Sequence, residues 1–76
     1  MALISMMVSE GDAVRALNEY LHEYSRYIIG RMGIPYHKKG VSLISVAMDA
    51  PQDVINSLSG KLGMLDGVRI KTVYQK

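Results

Sequence analysis

Hydrophobic residues recur with two different spacings along this chain of 76 residues, and each change of spacing marks a predicted element. Residues 2–8 are rich in Leu, Ile, Met and Val, which is typical of a short buried strand. The segment Ser9-Glu10-Gly11-Asp12 predicts a helix start, with Ser9 as the N-cap and Asp12 three residues later. Apolar residues then recur every three or four positions up to Ile28, so we predict a helix with one buried face.

The middle of the chain predicts two further strands. Residues 28–34 are largely apolar but include Gly30 and Gly33, and Pro35 follows them. Proline cannot donate a hydrogen bond to a neighbouring strand, so we expect this strand at an edge of the sheet. A polar turn separates it from residues 41–48, which form the next predicted strand.

A second helix and a last strand complete the chain. Asp49 or Ala50 is expected to cap this helix, with Pro51 in the first turn, where its missing N–H costs nothing. Gly63 is expected to end the helix in the left-handed conformation that glycine favours. Residues 68–74 then form the last strand.

The predicted order is strand, helix, strand, strand, helix, strand, which is two strand–helix–strand halves. With right-handed crossovers, this order gives one four-stranded antiparallel sheet with both helices on one face. We therefore predict an α+β, ferredoxin-like βαββαβ fold and a single domain over residues 1–76.

The first and third strands are central in this fold, and their alternation assigns each residue to one of two faces. The face toward the helices is expected to carry Ile4, Met6, Val8, Ile44, Val46 and Met48. The opposite face then carries Leu3, Ser5, Met7, Val41, Leu43, Ser45 and Ala47, flanked by Arg31, Arg69 and Lys71. An apolar face bordered by charge is typical of an interface, so we predict a homodimer or homotetramer that covers it. A register slip of one residue would exchange the two faces but would leave both apolar.

Composition favours the same conclusion. A domain this small buries a modest share of its surface and needs additional stabilisation. Since the sequence has no cysteine and 49% hydrophobic residues, association is the remedy that remains. The net charge of +2 is mild, and no apolar run approaches the roughly 20 residues that span a bilayer. With no signal peptide in the sequence, we expect a cytoplasmic protein without a membrane partner.

Candidate chemistry is sparse. We predict no metal site, because His22 and His37 are too few and too scattered to be a ligand set. We also predict no cofactor and no catalytic residue, because neither a nucleophile–base pair nor paired carboxylates can be recognised. No direct DNA or RNA binding is expected, since the central strands carry no aromatic residue for base stacking.

Two glycine-rich blocks carry a family resemblance. Leu58-Ser59-Gly60-Lys61-Leu62-Gly63 and Asp66-Gly67-Val68-Arg69-Ile70-Lys71-Thr72 resemble the signature of the iron-only hydrogenase system regulator family. The resemblance extends back through Arg31-Met32-Gly33-Ile34-Pro35 and the first helix. Within the signature we expect mainly structural roles for Ser59, Gly60, Lys61, Gly63, Gly67, Lys71 and Thr72. Gly60 is expected to allow a close helix approach, and Lys61 suits the negative end of the helix dipole.

The resemblance implies a ferredoxin-like domain similar to ACT domains and to the C-terminal domain of the nickel-responsive repressor. It implies a regulator and no catalytic residues. In ACT-like domains the turn after the first strand holds small effectors, which makes Ser9, Glu10, Gly11 and Asp12 the candidate ligand site. Our leading hypothesis is a regulatory module that responds to a small molecule through oligomerisation. The alternative is an assembly subunit that binds a protein partner and no ligand.

Overall fold

The computed structural model describes residues 1–9 and 11–75, which form one four-stranded antiparallel sheet and two α-helices. The elements in chain order are β1 (Ala2–Ser9), α1 (Asp12–Glu23), β2 (Ile28–Tyr36), β3 (Val41–Met48), α2 (Gln52–Gly63) and β4 (Val68–Tyr74). Short 3-10 turns at Ser25–Tyr27 and His37–Lys39 flank β2. The strand order β2-β3-β1-β4 puts the first and third strands in the centre and confirms the ferredoxin-like βαββαβ fold.

The core lies between the sheet and the two helices. In β1 and β3 every second side chain is buried, as the alternation predicts. The helices contribute the rest of the core from one face each, and every buried residue in the described ranges is apolar. The core consists of Ala2, Ile4, Met6, Val8, Leu17, Leu21, Ile44, Val46, Met48, Ile55, Leu58 and Leu62.

Both helices begin later than the capping prediction placed them. Ser9 is not an N-cap, because it still pairs with Val41 as the last residue of β1. Gly11 is the N-cap of α1, with no side-chain cap hydrogen bond. Pro51 is the N-cap of α2, so the prediction that Asp49 or Ala50 caps this helix is wrong. The Pro51 carbonyl instead accepts the first helical hydrogen bonds.

The two glycines of α2 also differ from their predicted roles. Gly63 is the last helical residue rather than a left-handed cap, and Met64 follows it with a right-handed φ of −84°. Gly60 does not permit a close approach, because a Cβ built on it meets no atom within 4 Å. Gly67, in the turn before β4, does need the freedom of glycine, because its φ is +82°.

A β-bulge in β2 changes which side chains face the helices. Ile28 is opposite Met48 and Gly30 is opposite Ala47, so Ile29 is an extra residue without a partner on β3. Beyond the bulge, Arg31 is opposite Val46 and therefore shares the helix side of the sheet. As predicted, β2 is an edge strand. In the described part of the chain, no helix has the length and apolarity needed to cross a membrane.

Candidate binding surface

The side of the sheet opposite the helices, called here the open face, is not covered by any element formed by residues 1–9 and 11–75. Its large apolar side chains are 42–69% exposed, although they lie on regular strands. The cross-strand register assigns to it Leu3, Ser5, Met7, Ser9, Gly30, Met32, Ile34, Tyr36, Val41, Leu43, Ser45, Ala47, Arg69, Lys71 and Val73. A solvated sheet face is normally polar, whereas this face is mostly apolar.

The open face has a direction, in the sense that its β4 edge and its β2 edge differ in chemistry along each cross-strand row. One row runs from Lys71 on β4 through Ser5 and Ser45 to Met32 on β2. The row beside it starts at Arg69 and runs through larger apolar side chains. The open face is therefore cationic along β4 and apolar along β2.

A depression of about 400 Å³ lies in the middle of the open face. Its floor is formed where Ser5 and Ser45 stand opposite each other, since both side chains are short. Longer side chains surround the two serines, including Met7 and Leu43 on one side and Met32 toward β2. This arrangement, called here the central depression, is open to solvent and lined mostly by carbon.

Arg31 does not belong to the open face, which corrects its predicted place among the interface residues. Its guanidinium lies on the helix side of the sheet and donates a hydrogen bond of 3.1 Å to Oδ1 of Asn18 on α1. Strict alternation from the buried end of β2 would have put Arg31 on the open face. The bulge at Ile29 inverts that alternation and brings Met32 and Ile34 to the open face instead.

Arg69 and Lys71 do lie on the open face, opposite Met7 and Ser5. No Asp or Glu occurs in any of the four strand segments. Among residues 1–9 and 11–75, neither cation forms an ion pair. The open face thus carries two positive charges and no negative charge to balance them.

The turn between β1 and α1 was the predicted ligand site. Glu10 lies outside the described residues. Ser9 is tied into the sheet, because its N–H donates to the Gly67 carbonyl at 2.8 Å. Gly11 has a φ of +123°, and Asp12 is the exposed first residue of α1. The structure therefore brings Ser9 beside Gly67, and the ligand role of this turn stays a prediction.

The signature residues of α2 join three elements. The Ser59 hydroxyl is hydrogen bonded to the Thr72 hydroxyl at 3.0 Å, which ties α2 to β4. The Lys61 ammonium forms an ion pair of 3.2 Å with Glu23 on α1. It also lies 5.1 Å from the ring centroid of Tyr24, within the range of a cation–π contact.

The acidity of Tyr24 is perturbed by its neighbours. Its hydroxyl is 2.9 Å from the Ser57 hydroxyl. This hydrogen bond, and next the neighbouring Lys61, lower the pKa of Tyr24 below its usual value of 10.0. Tyr24 in turn, followed by Glu23, raises the pKa of Lys61. The cluster links α1 to α2 at the surface.

Metal-binding side chains are not brought together. Within residues 1–9 and 11–75, no group of three or more His, Cys, Asp or Glu side chains could hold a metal ion. His22 lies near the end of α1, and His37 lies in the turn after β2.

Sequence reasoning missed the apolar side chains that β2 contributes to the open face. Met32, Ile34 and Tyr36 are 45–69% exposed there. The signal was the glycine inside the strand at Gly30, because a glycine within a strand often marks a bulge.

Comparisons with known proteins agree with this architecture. Residues 1–72 match the TM1266-like family model, described as "Iron-only hydrogenase system regulator, putative". The uncharacterized protein TM1266 from Thermotoga maritima superposes with a TM-score of 0.92 at 37% identity, over 95% of this chain and 91% of that one. A formyltetrahydrofolate deformylase from Pseudomonas putida KT2440 has a TM-score of 0.70 at 14% identity, over 97% of this chain and 28% of that one. That second likeness shows the fold alone. No curated protein matches the chain.

Proposed function

This chain belongs to the TM1266-like family, and we propose that it is a regulatory subunit of an iron-only hydrogenase system that works by association. The family description names a regulator and not an enzyme. The observation that carries the proposal is the uncovered apolar open face. We propose that a second copy of this chain covers it, and that a small effector shifts this association.

The size of the open face supports reversible association. With strands about 4.8 Å apart and a rise of about 3.3 Å per residue, four strands of about seven residues outline roughly 440 Å². Two copies therefore contribute an outline of about 900 Å², which is at the low end of specific interfaces. Areas of that size are typical of transient complexes, and an effector that binds one state better shifts such an equilibrium.

The direction of the open face favours one way of stacking two copies. A two-fold axis parallel to the strands places β4 of one copy over β2 of the other. A two-fold axis across the strands would instead place β4 over β4 and gather the cations of Arg69 and Lys71 from both copies. Because like charges at close range repel, we propose the first arrangement. It also lets the long stems of Arg69 and Lys71 pack on apolar side chains of β2.

Sedimentation velocity over a range of protein concentrations tests the self-association. Leu43→Glu puts a charge in the middle of the open face, whereas Met64→Glu makes the same kind of change at a side chain that is 85% exposed after α2. We expect a concentration-dependent dimer or tetramer for the wild type and for Met64→Glu, and a monomer for Leu43→Glu. Circular dichroism confirms that each variant folds. A monomeric wild type, or equal effects of both variants, would contradict the proposal.

A genetic test addresses regulation. In the native host, deletion of this gene is expected to change the amount or activity of the iron-only hydrogenase. The Met64→Glu variant should restore the wild-type level, and Leu43→Glu should not. An unchanged hydrogenase level in the deletion strain would contradict the regulatory role, whatever the oligomeric state.

A further inference from the structure

We propose that the central depression binds an organic anion with an apolar body, and that this binding strengthens the association of two copies. The inference rests on the proposed function, because it names the effector class and its site within the proposed interface. The volume of the central depression, about 400 Å³, lies in the range of small-molecule sites, which run from roughly 300 to 1,000 Å³.

The shape of the depression follows from the side chains on its central row. Ser5 and Ser45 are directly opposite each other on β1 and β3. Their side chains end at the hydroxyl, while Met7 and Leu43 on the next row are longer. The row is therefore a trough that crosses the sheet, with a floor that offers two hydroxyl groups. From β4 to β2 it spans three strand spacings, or about 14 Å.

The two ends of the trough differ in chemistry. At the β4 end stand Lys71 on the trough row and Arg69 on the next row. At the β2 end the lining is Met32 and Ile34, which are 69% and 59% exposed. A ligand that complements both ends carries its negative charge at one end of an apolar body. Arginine and lysine beside each other suit a carboxylate or a phosphate head, because both cations donate hydrogen bonds.

When a second copy covers the open face, a ligand in the trough needs a negative charge to offset the two cations. When a second copy excludes water, Arg69 and Lys71 lose solvation, and the strands offer no carboxylate in return. Burying an unpaired charge is costly, so the charges oppose the association that the apolar side chains favour. An anion in the trough removes that opposition and adds apolar contacts to both copies. Ligand binding and dimerisation are then coupled and strengthen each other.

Three probes with the same eight-carbon body separate head charge from hydrophobicity. Sedimentation velocity is measured with octanoate, octanol and octyltrimethylammonium, each below its aggregation concentration. We expect octanoate to lower the dimer dissociation constant by about tenfold, within the usual range of coupling between sites. Octanol should have a smaller effect, and octyltrimethylammonium should have none or should weaken the dimer. Equal effects of all three probes would overturn the inference.

Two double variants locate the charge effect. Arg69→Gln with Lys71→Gln removes both cations of the open face and keeps side chains of moderate length. Lys38→Gln with Lys39→Gln removes the same amount of charge at exposed positions outside the depression. The first double variant should dimerise more tightly than the wild type without probe and should ignore octanoate. The second should behave like the wild type. An undiminished octanoate response in the first would overturn the inference.

The same measurements separate this inference from the proposed function. A wild-type dimer that Leu43→Glu dissociates, but that octanoate does not strengthen, keeps the proposed function and overturns the anion site. An apolar face with cations could also bind an anionic membrane, so the protein is mixed with phosphatidylglycerol vesicles. Absence from the vesicle pellet agrees with the inference. Pelleting with the vesicles, without any response to octanoate, overturns it.

Discussion

The substitutions Gly60→Ala and Gly67→Ala add the same methyl group in two different surroundings. Both glycines belong to the signature blocks near the end of the chain. Gly60 lies in α2, where an added Cβ meets no atom within 4 Å. Gly67 has a φ of +82°, and an added Cβ would stand 3.2 Å from Cβ of Ser9. The structure therefore predicts effects of opposite sign.

The magnitudes follow from backbone conformation. Inside a helix, alanine is about 0.8–1 kcal/mol more favourable than glycine, so Gly60→Ala should stabilise by about that amount. A left-handed φ costs a residue with a Cβ about 1–2 kcal/mol, and the tight contact with Ser9 adds to that cost. The two variants should therefore differ by about 2–3 kcal/mol. For a domain of this size, that difference separates their melting temperatures by roughly 8–24 °C.

Thermal and urea unfolding followed by far-ultraviolet circular dichroism measure both effects. All proteins are compared at one concentration, because self-association would add to the apparent stability. Gly60→Ala should unfold above the wild type and Gly67→Ala below it. Destabilisation by Gly60→Ala would refute the reasoning, because it would mean that α2 meets a neighbour there that the structure lacks. A neutral Gly67→Ala would show that the turn does not need a left-handed residue.

Three more predictions concern single side chains. Ser57→Ala should raise the pKa of Tyr24 toward its usual value of 10.0, which a titration followed by tyrosinate absorbance measures. An unchanged pKa would contradict the hydrogen bond between Ser57 and Tyr24. Because folding lowers the pKa of Tyr24, the ionised side chain adds stability at pH values above its pKa in the unfolded chain. That contribution is lost as the pH falls through the pKa of Tyr24 in the folded protein. Leu58→Ala should lower the free energy of unfolding in urea by about 2–5 kcal/mol, because Leu58 is 0% exposed. An effect no larger than that of Leu43→Ala would contradict the assignment of Leu58 to the core. Arg31→Gln should leave the dimer dissociation constant unchanged in sedimentation, because Arg31 faces α1, and a weakened dimer would place it at the interface.

Regular alternation made most of the fold predictable. The core face of β1 and β3 is as predicted, from Ile4 to Met48, because buried side chains alternate with exposed ones in β1 and with half-buried ones in β3. The family was also predictable, since the signature blocks are short and occur in order, and the family model confirms it. Local signals of this kind depend only on residues near each other in the chain.

The errors at Ser9 and Arg31 arose where a distant contact overrides a local pattern. Ser9 resembles a helix cap, but hydrogen bonding to Gly67 across the sheet keeps it in β1. Gly63 resembles a helix stop, yet the helical conformation continues through it to Met64. Arg31 was placed on the wrong face because alternation cannot reveal an inserted residue until the pairing of β2 with β3 is known. The composition of the open face was thus predictable in its centre but not along β2.

The bulge at Ile29 has a consequence for how such proteins diverge. Beyond Ile28, β2 contributes no buried side chain, so its two faces can be exchanged with little effect on the core. Regular pairing of Ile29 with Ala47 would remove the bulge without loss of a residue and would exchange them, sending Arg31 to the open face and Met32 to the helix side. Deletion of Ile29 would instead keep the present faces, because the residues after it already have the register of a regular strand. In families with this architecture, the side chains that an edge strand presents are therefore set by whether a bulge forms, and sequences of equal length can differ in them.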